Sequence, residues 1–321
     1  MKIFLAALLA VSVCHAQAPS GSVPKPPWAK PASPKSGPAE DETTIKVDVK
    51  LVNVFVTVTD EHGAPVANLM KDNFQLLEDG RPQKLSIFDK ESELPLSIVL
   101  DIDTSLSTRK DLPLELNSAR RFAHAILRPI DGLSLYGFSE TVDQVVPFTA
   151  DLKLVDRGTQ TLRPGAATAL YDAVYLGAEA LNDRQGRKVM VVITDGGDTV
   201  SKIDYREALR AAQQAEAIVY SIIIVPIEAS AGRDTGGEHA LIQMSEDTGG
   251  KYYYATSIEQ LDRAFRSISD ELRTQYLLAY YPERRLADSD FRRIEVKLAG
   301  MPDGAEYKSR HRTGYYTSKL H

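Results

Sequence analysis

The sequence predicts an α/β fold: a doubly wound, mostly parallel sheet covered by helices on both faces, joined to a small β-sandwich built from both flanks of the chain. Three observations carry this. Over residues 95–273, short apolar runs at 97–102, 134–138, 188–194, 218–225 and 251–255 alternate with segments of helical spacing, the pattern of β–α–β units and a parallel sheet. On either side, residues 43–94 and 274–321 carry period-two alternation and turn residues instead, as half-buried strands do. Chains of roughly 40 to 60 residues are marginal on their own, so the two flanks are expected to pair into one sandwich.

At the start of the chain, Lys2 precedes an apolar run over 3–13, and Ala16 is a small residue suited to cleavage. Residues 1–16 therefore read as a secretory signal peptide. The run is shorter than the roughly 20 apolar residues that cross a bilayer, so no transmembrane span is expected. Lipid attachment at Cys14 is the alternative, disfavoured by Val13 where a small residue is wanted. Cleavage near Ala16 predicts a secreted or periplasmic protein, and it removes the single cysteine. The mature chain then has no disulfide and rests on its core alone.

Residues 17–42 form a tether, with Pro24, Pro26, Pro27, Pro31, Pro34 and Pro38 set among Ser, Gly, Ala and Lys. Such composition is extended and buries nothing, and Trp28 within it reads as a chance aromatic. The formal charge is −6, or −7 once Lys2 leaves with the signal, and no basic cluster is interleaved with aromatics. Nucleic acid is excluded as a natural partner on that ground.

In the first β flank, Ile45, Val47, Val49 and Leu51 alternate with polar residues, then the phase changes to Val52, Val54, Val56 and Val58. A phase slip of this kind marks a bulge or a handover between sheets. Residues 60–65 read as a turn, and Asp79-Gly80 as a hairpin turn between strands at 74–77 and 84–88. In the middle region three apolar stripes predict helices: Leu116, Ala119, Phe122, Ala123 and Ile126; Leu170, Ala173, Val174 and Leu181, with Gly177 on the same face allowing close approach to the sheet; and Ile258, Leu261, Phe265, Ile268 and Leu272. Residues 142–148 read as an antiparallel edge strand.

One stretch organises the rest: Ser97-Ile98-Val99-Leu100-Asp101-Ile102-Asp103-Thr104-Ser105-Leu106-Ser107, an apolar strand ending in carboxylates and hydroxyls. Ligands in open parallel sheets sit at the carboxyl ends of the strands. Two later stretches reach the same edge. Gly165-Ala166-Ala167-Thr168 leads into a helix, and Val191-Val192-Ile193-Thr194-Asp195-Gly196 is a buried strand that ends in a flexible turn. Together they supply Asp103, Ser105, Ser107, Thr168 and Asp195. Magnesium takes oxygen ligands in near-octahedral geometry and keeps several waters. Three neutral hydroxyls with two carboxylates behind them suit it, and leave it electrophilic toward a carboxylate from outside.

These residues resemble the metal-ion-dependent adhesion site of von Willebrand factor type A domains. The family's Asp-x-Ser-x-Ser is matched by Asp103-Thr104-Ser105-Leu106-Ser107, its threonine by Thr168, and its Thr-Asp-Gly by Thr194-Asp195-Gly196. The resemblance covers about 95–273 and implies a Rossmann-like α/β fold. The flanks, with Asp60, Asn73-Phe74, Glu78-Asp79-Gly80, Tyr280-Tyr281-Pro282 and Gly314-Tyr315-Tyr316, resemble those of bacterial secreted VWFA-related domain proteins. The resemblance implies direct ligation by Ser105, Ser107 and Thr168, and ligation through water by Asp103 and Asp195. The ion implied is Mg²⁺, with Mn²⁺ or Ca²⁺ as substitutes. The implied partner is a protein that supplies an Asp or Glu side chain to the metal. Two departures stand out: Leu106 replaces a frequent Gly, and Asp101 adds a carboxylate two residues before Asp103.

Two other readings of these residues compete. Ser, Thr and Asp routinely cap helices and close turns, which accounts for any one of the five residues but not for all of them in this order. An enzyme is the sharper rival. Leu100-Asp101-Ile102-Asp103-Thr104-Ser105 also resembles the first motif of haloacid-dehalogenase-type phosphatases, in which Asp101 would attack phosphorus and Asp103 handle the leaving group, and Asp198 with Asp204 resembles their acidic metal motif. That reading leaves Thr168 and Asp195 unexplained. The histidines are scattered without zinc spacing, and no nucleophile elbow or phosphate loop occurs. Residues 252–254, three tyrosines, read as a strand with one buried face. The chain is therefore expected to be a binding protein and not an enzyme.

Overall fold

A computed structural model describes residues 51–90, 93–108, 112–225, 235–283, 291–301 and 306–317. The signal, the tether with Trp28, Cys14 and the alternating residues Ile45, Val47 and Val49 lie outside these residues.

The central sheet has six strands in the order β10-β9-β8-β5-β6-β7. They are β5 (Leu96–Asp103), β6 (Gly132–Phe138), β7 (Val142–Thr149), β8 (Arg187–Thr194), β9 (Ala217–Ile224) and β10 (Tyr252–Ala255). Every pairing is parallel except β6 with β7, which makes the antiparallel edge. Strand β5 lies near the middle and all eight of its residues are buried, which is why it reads as a continuous apolar run rather than an alternating one. Leu96, Ile98, Leu100 and Ile102 face one core, packed with α1 (Leu112–Ile126), α2 (Leu152–Thr161) and α6 (Ile258–Thr274). Val99 faces the other, with α3 (Leu170–Asn182), α4 (Tyr205–Gln214) and α5 (Thr235–Thr248). The three predicted stripes form α1, α3 and α6, and the other three helices were not singled out by their spacing. Gly177 on α3 has the close approach expected of it: a Cβ there would lie 2.8 Å from Met190 Cε and 3.0 Å from Val99 Cγ1.

The flanks form two four-stranded antiparallel sheets. One has the order β13-β1-β11-β4 and the other β14-β12-β2-β3. Before the central unit come β1 (Val52–Thr59), β2 (Phe74–Glu78), β3 (Arg81–Pro82) and β4 (Leu85–Lys90); after it come β11 (Tyr276–Tyr280), β12 (Phe291–Leu298), β13 (Lys308–Arg310) and β14 (Gly314–Tyr316). Each sheet thus takes two strands from each flank. Val52 pairs with Tyr280 and Val56 with Tyr276, while Glu78 pairs with Ile294. Val52, Val54, Val56, Val58, Phe74, Leu76, Tyr276, Leu278 and Val296 fill the core between the sheets.

One expectation is corrected. Asp79 and Gly80 do make the hairpin turn, with φ of 48° and 76° as a two-residue turn requires. The returning strand is only Arg81–Pro82, paired with Leu77 and Glu78. Residues 85–90 cross to the other sheet and pair with β11 instead. Pro82 lacks the N–H a longer ladder needs, and Phe88 stacks on Tyr276 at 6.0 Å in that other sheet.

Candidate metal centre

Strand β5 delivers Asp103 to the carboxyl edge of the central sheet, where the carboxylate is fully buried. Both of its oxygens are held, and the Ser105 hydroxyl also acts on the carboxylate. Ser105 N–H donates to Oδ1 at 2.7 Å, and the Thr194 hydroxyl at the end of neighbouring β8 donates to Oδ2 at 2.6 Å. Beyond Asp103 the chain turns tightly. Thr104 N–H donates to the Phe138 carbonyl at 2.8 Å, and the Thr108 hydroxyl donates to the Ser105 carbonyl at 3.0 Å. That turn swings both serine hydroxyls toward the β8 loop. Ser107 Oγ donates to Asp195 Oδ1 at 2.9 Å and lies 3.0 Å from Ser105 Oγ.

Thr168 lies just before α3, which begins at Leu170. Its backbone is tied to the loop after β8: Thr168 N–H donates to Thr199 Oγ1 at 2.9 Å, and Thr199 N–H donates back to the Thr168 carbonyl at 2.8 Å. The Thr168 hydroxyl has no hydrogen-bond partner among the described residues. Gly165 N–H donates to the Thr104 carbonyl at 2.7 Å, which fastens the same loop to the β5 turn. Asp103, Ser105, Ser107 and Asp195 are therefore linked side chain to side chain or through the turn, and Thr168 is brought to the same edge by its backbone.

Electrostatically the centre is short of positive charge. Burial pushes the Asp103 carboxyl up to about 6, against the hydrogen bonds from Thr194 and Ser105, and neighbouring Asp195 adds to the rise. Burial likewise raises Asp195, against the Ser107 hydroxyl. Two desolvated carboxylates beside three hydroxyls suit a hard cation, which would restore both to their charged forms. Among the described residues no three His, Cys, Asp or Glu side chains gather into a metal-ligating group, so any such centre here depends on hydroxyl oxygens.

Two residues were not assigned a role from the sequence. Thr194 was visible only as part of its Thr-Asp-Gly motif, yet it orients Asp103. Thr108 gave no signal beyond its closeness to the serines. Asp101 lies one pleat below Asp103 on the same face of β5, fully buried, with neither carboxylate oxygen hydrogen-bonded. Burial holds its pKa well above the usual carboxylate range, and a Cβ on Gly177 would lie 3.3 Å from its Oδ2. A nucleophile must reach its substrate, and Asp101 is sealed beneath α3. The acids of the phosphatase reading are spent elsewhere: Asp198 accepts from Tyr171 N–H at 3.3 Å and from Ser201 N–H at 3.2 Å, while Asp204 caps α4 through Glu207 N–H at 2.9 Å.

Residues 98–197 match the family model described as the von Willebrand factor type A domain, a span that contains all five candidate ligands. Comparison with curated proteins finds no match. Among solved structures the chain is similar to BatB from Bacteroides thetaiotaomicron, at 19% identity and a TM-score of 0.45, covering 56% of this chain and 100% of that one. It is similar to a von Willebrand factor type A protein from Catenulispora acidiphila, at 11% identity and a TM-score of 0.49, covering 83% and 74%. A third likeness is to the vWF domain of the type V pili tip protein Mfa5 from Porphyromonas gingivalis, at 12% identity and a TM-score of 0.43, covering 55% and 94%.

Proposed function

Because this chain carries a von Willebrand factor type A domain over 98–197, we propose that it is an exported binding protein that recognises a protein partner through a divalent cation. The hydroxyls of Ser105, Ser107 and Thr168 would hold Mg²⁺ directly. Asp103 and Asp195 would act through its waters and balance its charge. The bound ion supplies an electrophilic position for an Asp or Glu carboxylate of the partner.

The observation that carries this reading is the hydrogen-bonded line Ser105–Ser107–Asp195 beside a buried, doubly held Asp103. An ionised Asp103 only accepts, with about four lone-pair sites on its two oxygens, which suits an acceptor for metal-bound water. Ser107 is exposed, so the centre opens to the surface where a partner can reach it. No helix among the described residues is long and apolar enough to cross a membrane.

Calorimetric titration of Mg²⁺ into the wild type and into a double variant, Asp103→Ala with Thr168→Ala, tests the site. Saturable binding in the first and its loss in the second is the expected result; equal affinities would sink the assignment. Capture of envelope proteins with Mg²⁺ and with a chelator then tests the partner.

A further inference from the structure

The opposite edge of the central sheet, at the amino ends of β5, β6 and β8, holds a cavity of about 290 Å³ lined by three arginines and one acid: Arg128, Arg187, Arg273 and Asp131. It lies on the order of 20 Å along β8 from the candidate metal centre. The arginines are not balanced. Asp131 is fully committed to Arg128, which donates to both of its oxygens at 2.9 Å, and it also accepts from the N–H groups of Leu96 and Arg128, each at 2.9 Å. Arg187 and Arg273 have no carboxylate partner among the described residues. Arg187 Nη1 donates to the Leu272 carbonyl at the end of α6, and Arg273 Nη2 donates to the Ala125 carbonyl at the end of α1 at 2.7 Å.

Capping helix carboxyl ends is a sufficient task for an exposed guanidinium, and Arg273 is exposed. It is not sufficient for Arg187. Only 4% of that residue is accessible, and its Nε has no hydrogen-bond partner. A buried guanidinium with an unbonded N–H and no carboxylate in direct contact is costly. Burial, with repulsion from Arg128, drives the Arg187 pKa down to about 10, against attraction from Asp131 and Tyr220.

We propose that this cavity is a binding site for a small oxyanion, a carboxylate or phosphate group held by Arg187 at the floor and by Arg128 and Arg273 at the mouth. Planar guanidiniums match both groups through paired N–H donors. One such anion supplies Arg187 with a directly bonded counter-charge, and it joins the carboxyl ends of α1 and α6 to the starts of β5 and β8. The site stands on its own residues and does not depend on the cation reading above.

Inorganic phosphate and, separately, succinate are titrated into the full chain at constant ionic strength, with calorimetry and the ¹⁵N resonance of Arg187 Nε as readouts. The expected result is saturable one-to-one binding of at least one anion with a shift of that resonance. Arg273→Gln should weaken it about tenfold or more, and Arg187→Met should abolish it. Whichever anion binds identifies the group recognised. Absence of saturable binding by both anions overturns the proposal, as does affinity unchanged in Arg273→Gln, a surface substitution that decides the matter if Arg187→Met fails to fold.

Discussion

The Thr194 hydroxyl donates to Asp103 Oδ2 at 2.6 Å, tying together the last residues of two adjacent parallel strands. It fixes the carboxylate in one rotamer, while Gly196 N–H donates back to Thr194 Oγ1 at 3.2 Å. One threonine thus orients the acid and closes the loop that carries Asp195.

Thr194→Val keeps the shape and removes the donor. The variant should lose about 1–3 kcal/mol, because a buried acceptor is left with one partner fewer, and Mg²⁺ affinity should fall with it. Urea denaturation and calorimetry on the same preparation check both. Unchanged Mg²⁺ affinity would mean that Asp103 orientation is irrelevant to the ion.

Glu78 is the polar centre of the sandwich. Its carboxylate pairs with Arg292 at 3.0 Å and accepts from the hydroxyls of Tyr280 at 2.7 Å and Tyr315 at 2.9 Å, all of them buried. One acid from the first flank is thereby bonded to three residues of the second. Glu78→Ala removes the buried carboxylate that Arg292, Tyr280 and Tyr315 share and should cost about 3–5 kcal/mol. Tyr280→Phe removes one hydrogen bond of the set and should cost about 1–3 kcal/mol. Chemical denaturation of the two variants should preserve that order.

His311 makes the sandwich sensitive to acid. Val296 N–H donates to its Nε2 at 3.1 Å and its Nδ1 faces the Arg312 carbonyl at 2.8 Å, so the ring is held neutral with the proton on Nδ1. Burial lowers its pKa below the ordinary 6.5. The folded state therefore binds fewer protons than the unfolded one, and the stabilisation is present above 6.5 and lost as pH falls through the depressed folded value. Denaturation midpoints measured across that range should drop on acidification in the wild type and drop less in His311→Gln.

Much of this protein could be read along the chain. The buried strand β5 announced itself because a strand covered on both faces must be apolar throughout, and its terminal Asp-x-Ser-x-Ser was visible against that background. The flank strands were legible from alternation, and Gly177 from its place on an apolar stripe. What could not be read came from contacts between distant residues. Residues 85–90 pair with β11 in the other sheet, and Phe88 packs there against both Tyr276 and Phe74, contacts no local pattern encodes. Helix α4 does carry a buried stripe, Ala208, Ala211 and Ala212, but alanines stand out little from the polar residues between them.

By itself, then, the sequence determined the order of the elements, the class of the fold and the residue types that meet at the carboxyl edge of the sheet, because these follow from local periodicity and short motifs. Only the tertiary structure decided that each sandwich sheet takes two strands from each flank, that Thr194 aims Asp103, that Asp101 is sealed beneath α3, and that Arg187 is buried beside an acid already committed to Arg128. Each of these depends on which side chains are brought together across the fold and on how much water is left between them, and burial of that kind has no signature along the chain.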